Sequence, residues 1–243
     1  MAMYILEKMI KEGFRAVGID IGRIKTKNDP DFHLLKALEY FRIDLLLDVG
    51  ANTGQFVHDM RAVGYHGKIV SFEPLSAAHA ELVQHASKDP DWHVHPRCAI
   101  GEQDGEANIN IAGNSVSSSL LPMLKNHAAV VPESAYCNVE TTPVHTIDSL
   151  AEEYLANVKN PFLKIDTQGY EWEVLDGAVQ TLPRLKGVLC EMSLVPLYEG
   201  QHLWKDILER MEDAGFTLWS IRRGFTDLSN GRHMQVDGLF FRL

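Results

Sequence analysis

Apolar and polar positions along this chain of 243 residues switch between two periods. From residue 44 onward, short apolar runs closed by turn residues alternate with stretches of helical spacing. "DLLLDVG" predicts a strand covered on both faces, because a short continuous apolar run bounded by a turn fits a buried strand. A helix from Gly54 to Val63 follows. "GKIVSFEP" predicts a second strand, and Pro74 opens the helix "LSAAHAELVQHA". "WHVHPRCAI" reads as a third strand. Strand and helix alternating in this way imply right-handed crossovers and a parallel sheet.

The pattern then breaks. "EANINIA" alternates after the turn "GEQDG" and predicts a short β excursion. Residues 113–135 read as irregular and polar, and "VETTPVHTID" as an extended stretch before the helix "SLAEEYLA". The alternation resumes with "PFLKIDTQG", a helix from Tyr170 to Leu182, the strand "LKGVLCEMS", a helix over 202–214, and the strands "FTLWSI" and "DGLFFRL". Seven main strands result. The last two are close enough in sequence to pair as an antiparallel hairpin at the sheet edge. Residues 1–44 predict two helices, roughly 2–12 and 31–42, the second with Asn28 and Asp29 as capping candidates and Pro30 in the first turn. The organisation expected is an N-terminal helical extension, 1–44, and one α/β domain, 45–243.

Apolar content of 45% and charged content of 23% are those of an ordinary globular protein. No apolar run approaches the roughly 20 residues of a membrane span. "MAMYILEKMIKEGFRAVG" lacks the basic start and unbroken apolar stretch of a signal peptide, so a cytoplasmic protein is expected. A formal net charge of −10 disfavours nucleic-acid backbones and anionic membranes. Cys98, Cys137 and Cys190 are too few and too far apart for a disulfide framework or zinc site, and predict buried reduced thiols. Arg222 and Arg223, with Arg232 and His233 nearby, form a solvated loop or else bind an anion.

The turn after the first strand carries the first chemistry. In a doubly wound sheet the ligand lies beyond the carboxyl ends of the strands. A dinucleotide turn needs G-x-G-x-x-G, yet counting from Gly50 the next two glycine positions hold Asn52 and Gln55. Asp48 would also repel a pyrophosphate. S-adenosylmethionine has no phosphate and carries an ammonium and a sulfonium, so an acid at the turn favours it. Glu73, ending the second strand, is placed to accept the ribose hydroxyls.

"DVGANTGQF", "SFEP", "IGEQDG", "NSVSSSL" and above all "LKIDTQGYEWEVLDGA" resemble the FkbM family of methyltransferases, over about residues 45 to 243. The resemblance implies a class I, Rossmann-like fold with a seven-stranded, mostly parallel sheet, helices on both faces and an antiparallel C-terminal edge strand. It also implies S-adenosyl-L-methionine as cofactor and transfer to a hydroxyl group, with sugars and polyketide-like molecules among the family's acceptors. Carried over by position, Asp48, Gly50, Ala51, Asn52 and Gly54 surround the methionine part, with Gln55 and Phe56 at the helix start. Glu73 binds the ribose beside Pro74. Cys98, Ala99 and Ile100 lie near adenine, Ser117 and Ser118 close over the cofactor, and Asp166 marks the methyl-transfer centre. The family often has Glu where this chain has Gln168, which removes a carboxylate beside Asp166 but leaves an amide able to orient an acceptor.

A sugar hydroxyl is a weak acid, so a nearby base assists its attack. Asp166, Glu191 and His145 are the candidates, with Gln168 orienting. Asp166 and Glu191 could instead hold Mg²⁺, though two carboxylates are a thin ligand set and no metal is expected. The leading reading is an O-methyltransferase acting on a carbohydrate or small natural product. A catalytically weak cofactor-binding module and a nicotinamide-dependent oxidoreductase are the alternatives. The expected partner is a small-molecule or glycan acceptor, with no nucleic acid and no membrane.

Overall fold

The computed structural model describes residues 29–243. The helix expected over 2–12 lies outside them. Helix α1 (Pro30–Tyr40) opens the described chain, and Asp29 caps it by accepting the backbone N–H groups of Asp31 and Phe32. Leu34, Leu35, Leu38 and Phe41 are buried together with Leu46, Phe162 and Phe241. Burying each such side chain contributes about 1.5–3 kcal/mol. The described part of the extension therefore shares a core with the sheet.

The main sheet contains β1 (Leu45–Val49), β2 (Lys68–Phe72), β3 (Trp92–Val94), β7 (Pro161–Ile165), β8 (Gly187–Ser193), β9 (Thr217–Arg223) and β12 (Gln235–Phe241). Their order is β3-β2-β1-β7-β8-β12-β9. All neighbouring pairs are parallel except those made by β12, which runs antiparallel to both β8 and β9. The expected C-terminal hairpin stands at the sheet edge, with β12 on its inner side and β9 outermost. Helices α2 (Gln55–Ala62), α3 (Ser76–Ala86) and α7 (Trp204–Asp213) connect the strands. Two large apolar clusters share out the residues of β1, β7 and β8. Leu47, Leu163 and Val188 belong to one, and Leu46, Phe162 and Leu189 to the other. Both faces of the central strands are thus covered, as their unbroken apolar runs predict.

Between β3 and β7 the chain builds a second sheet from β4 (Ala99–Ile100), β5 (Gly105–Ala112) and β6 (Tyr136–His145), ordered β4-β6-β5. Helix α4 (Lys125–Val130) sits in the connection between β5 and β6, and α5 (Ile147–Leu155) leads to β7. "WHVHPRCAI" is therefore two strands, not one. Pro96 has no N–H for a ladder, and beyond it Ala99 and Ile100 pair with Val144 and His145. The helix expected over 170–182 is shorter, α6 (Glu171–Asp176). Asp148 accepts the backbone N–H groups of Gln180 and Thr181 at 2.9 and 2.7 Å, which gives that segment partners outside a helix. Cys98 and Cys190 are buried free thiols as expected, whereas Cys137 is exposed on β6. Arg222 pairs with Asp31 of α1 at 2.5 Å, and Arg223 is exposed. A small hairpin of β10 (Thr226–Asp227) and β11 (Arg232–His233) lies between β9 and β12.

Candidate active site

The chain runs from β1 to β2 to β3 on one side of the sheet and returns to place β7 on the other. The point of reversal lies between β1 and β7, and ligands bind at such a switch point beyond the strand ends. A cavity of about 270 Å³ opens there. Gly50 closes its floor, with φ +76 and an added Cβ only 1.8 Å from the backbone oxygen of Asp166, so no side chain fits. The backbone N–H groups of Gly50 and Ala51 both donate to the Phe72 carbonyl at 3.1 Å. Gly54 starts α2 with φ +96, against the Trp92 ring.

Asp48 lies beneath this turn, not in it. It is fully buried, does not line the cavity, and accepts from the Ser71 hydroxyl at 3.0 Å. Its other oxygen is 3.1 Å from the Lys164 ammonium. The expectation that Asp48 meets the cofactor's cation is corrected: a buried carboxylate needs a partner, and Lys164 supplies it from the neighbouring strand. Lys164 also donates to the Gly50 carbonyl at 3.0 Å and lies 3.7 Å from Asp166. Burial works against its charge, but Asp48 and Asp166 hold the ammonium above its ordinary lysine range. It is unsuited to act as a base.

Glu73 does line the cavity. Its carboxylate accepts the backbone N–H of Asn52 at 2.7 Å and of Leu75 at 2.9 Å. Burial pushes its pKa up to about 7, against the pull of those two N–H groups. Each oxygen keeps a lone pair for a further donor. Asn52 takes a left-handed backbone, φ 47, and its amide reaches the Ser115 hydroxyl at 3.3 Å, tying the glycine turn to a loop that lines the cavity. An apolar wall follows, formed by Cys98, Ala99, Ile100, Leu75, Ile109 and Leu120. Burial pushes the Cys98 thiol up to about 12, so it is an inert apolar surface.

At the far end, Asp166 leaves β7 with its side chain 41% exposed. The Gln168 amide nitrogen donates to Asp166 at 2.8 Å and to Glu191 at 2.9 Å. Glu191 also accepts from Gln235 at 2.6 Å. The space between the two carboxylates is thus taken by an amide, and among the described residues no group of three or more acids, histidines or cysteines is arranged to hold a metal. Burial, with Asp166 and Glu171 nearby, pushes the Glu191 carboxyl well above its ordinary range.

The cavity brings together Gly50, Ala51, Asn52, Gln55, Phe56, Glu73, Pro74, Cys98, Ala99, Ile100, Ser118, Asp166 and Gln168. It leaves out Asp48, Gly54, Ser117, Glu191 and His145. Ser117 is buried behind the loop, where its carbonyl faces the Tyr198 hydroxyl. His145 ends β6 away from the cavity, 3.9 Å from Asp104 and edge-on to His95. Gln168 has committed both amide hydrogens to carboxylates, so it has none to offer an acceptor. Sequence reasoning missed Lys164 and Ser115 among the lining residues. Lys164 had a legible signal: a lysine inside the apolar run "FLKI" needs a buried acid beside it. Trp172 stacks on His202 with ring centres 3.9 Å apart, a packing role.

The strand order, the glycine floor and the acid at the end of β2 define a class I methyltransferase fold with a nucleoside-sized cavity at its switch point. The chain matches the methyltransferase FkbM domain over residues 48–218 and belongs to that family. Its cofactor is S-adenosylmethionine. The cavity fits that molecule: Glu73 offers acceptors for hydroxyls, and the apolar wall suits an adenine ring. Comparison with curated proteins finds no match. Among solved structures, the chain is similar to the magnesium protoporphyrin IX methyltransferase of Synechocystis with bound S-adenosylmethionine, at 10% identity, TM-score 0.47, covering 97% of this chain and 96% of that one. It is also similar to an rRNA methylase from Streptococcus thermophilus, at 10% identity, TM-score 0.46, covering 91% and 99%. At such identities the substrates of those proteins do not transfer, and the fold rests on the strand order and the family match.

Proposed function

We propose that this methyltransferase acts on oxygen, transferring a methyl group to a hydroxyl of a carbohydrate or small natural product in the cytoplasm. The observation that carries this is the half-exposed Asp166 carboxylate on the cavity wall, at the end of β7 and beside the glycine floor. S-adenosylmethionine supplies the activated methyl. The chain's part is to align the acceptor oxygen and to take its proton at an Asp166 oxygen. Alignment and a positioned base are the two contributions a hydroxyl acceptor requires. The net charge of −10 and the lack of an unpaired cationic side chain among the described cavity residues favour an uncharged acceptor over nucleic acid or a membrane surface.

Incubation with isotopically labelled S-adenosylmethionine and panels of glycans and hydroxylated polyketides tests the proposal. An O-methyl product identified by mass spectrometry supports it. Label found only on nitrogen or carbon acceptors refutes it.

We place Glu73 on the cofactor's ribose, which predicts a pH dependence. Ribose hydroxyls donate to the ionised carboxylate, so binding favours proton loss. Affinity is then full above about 7 and falls as pH drops below it. Calorimetry should show S-adenosylhomocysteine binding about tenfold weaker at pH 6 than at pH 8. Glu73→Gln should flatten the profile. A wild-type profile already flat would remove Glu73 from the ribose site.

A further inference from the structure

Gln168 stands where the cavity meets a buried group of acids. Its amide direction is set from both ends. The Tyr198 hydroxyl, on a residue 1% exposed, lies 3.0 Å from the amide oxygen and 3.2 Å from the Ser117 carbonyl, and the amide oxygen is the nearer acceptor of its one hydrogen. The amide nitrogen faces Asp166 and Glu191, and a reversed amide would turn its oxygen against two carboxylates. The backbone is held as well. Gln168 has φ 55, a left-handed conformation that is costly for a residue with a Cβ. Glu171 pins the turn on either side by accepting the N–H groups of Thr167 and Gly169 at 2.9 and 3.1 Å. Strain kept in place by surrounding bonds is common at functional sites.

We propose that Gln168 is a positioning residue for methyl transfer: Tyr198 fixes its amide, and the amide bridges Asp166 and Glu191 and holds the Asp166 carboxylate at the cavity wall. The proposal rests on the reading of Asp166 given above. The charged groups around this point are Lys164 and Asp166 on and after β7, Glu171 on α6, Glu191 on β8 and Asp237 on β12. Burial, together with neighbouring acids, pushes Glu171 up to about 7 and Asp237 up to about 6. Another carboxylate here would add repulsion. An amide adds two donors and no charge, which is the chemistry this crowded position needs.

S-adenosylmethionine and S-adenosylhomocysteine differ by one methyl and the sulfonium charge. The ratio of their dissociation constants therefore reads the field that Asp166 exerts at the sulfur, and contributions from Glu73 cancel. Both ligands are titrated calorimetrically into wild type, Gln168→Met, Tyr198→Phe and Asp166→Asn protein from pH 6 to pH 8. Wild type sets the reference profile, because Glu171 and Asp237 change charge near that range in every variant alike. Gln168→Met removes the donor that Asp166 and Glu191 share and leaves Glu191 only Gln235, so the pair takes up a proton more readily, and at pH 6 the ratio should move against S-adenosylmethionine by about threefold or more relative to wild type. Tyr198→Phe should show the same trend at smaller size, and it supplies the comparison if Gln168→Met does not fold. A profile that matches wild type in the folded Gln168 variant, or in the Tyr198 variant standing in for it, overturns the proposal. Asp166→Asn tells the two readings apart. An altered ratio there with a wild-type profile in Gln168→Met refutes positioning alone, whereas an unaltered ratio refutes the placement of Asp166 and this proposal with it.

Discussion

Asp166→Asn is expected to lower methyl transfer about 100-fold or more, with S-adenosylhomocysteine affinity held within about threefold. The substitution keeps the side chain's size and its contact with Gln168, because the asparagine oxygen still accepts from that amide. What it removes is a group able to take the acceptor's proton. The carboxylate leaves a strand whose Phe162, Leu163 and Ile165 are each 1% exposed or less, so its anchor point is rigid. Its side chain nevertheless reaches the cavity. Steady-state rates on the acceptor found in the isotope screen, with ligand calorimetry beside them, make the measurement. Turnover within a few-fold of wild type in a folded variant would exclude Asp166 as the base.

The second large effect lies beneath the cavity. Lys164→Met should destabilise the protein by about 3–5 kcal/mol, because it strips a fully buried carboxylate of its counter-ion. The Lys164 side chain is 6% exposed and that of Asp48 is 0% exposed, so solvent does little to compensate. The carbonyl of Gly50 also loses its donor, and cofactor affinity should fall with stability. Adding Asp48→Asn to Lys164→Met should recover more than half of the loss, since no charge is then left unpaired. Denaturant titrations of wild type and the two variants decide it. A loss below about 1 kcal/mol in Lys164→Met would show that water reaches Asp48.

Much of this architecture was legible from apolar periodicity alone. The runs "DLLLDVG", "GKIVSFEP" and "PFLKIDTQG" become the three strands that flank the cavity, and the glycine turn and Glu73 reach it as their positions at strand ends imply. What escaped had local causes invisible to a periodicity argument. Pro96 divides a run that reads as one strand, and the partner of its second half, Val144 and His145, lies some 45 residues away in sequence. Asp148 ends α6 early from a different helix. Asp48 looked free to serve a ligand because its partner is specified only by strand order. That Ser115 and Ser118 line the cavity and Ser117 does not depends on which way a seven-residue polar loop faces, and "GNSVSSS" carries no period from which to read that. His145 ends a strand, but of the second sheet.

The pairing of Asp48 with Lys164 belongs to a longer row. Trp92 on β3 donates to Ser71 on β2 at 2.9 Å, Ser71 donates to Asp48 on β1, and Asp48 meets Lys164 on β7. Ser71 and Lys164 are also the residues directly opposite Asp48 in the two ladders. Parallel strands have no tight turn to dictate how far one slides along the next. Sliding β7 past β1 by a single residue would turn the lysine to the other face and leave a charge among Phe and Leu side chains. This polar row therefore serves assembly as an alignment mark. It makes the correct sheet the only arrangement in which its buried charges find each other, and it rejects near-miss sheets that apolar side chains alone would tolerate.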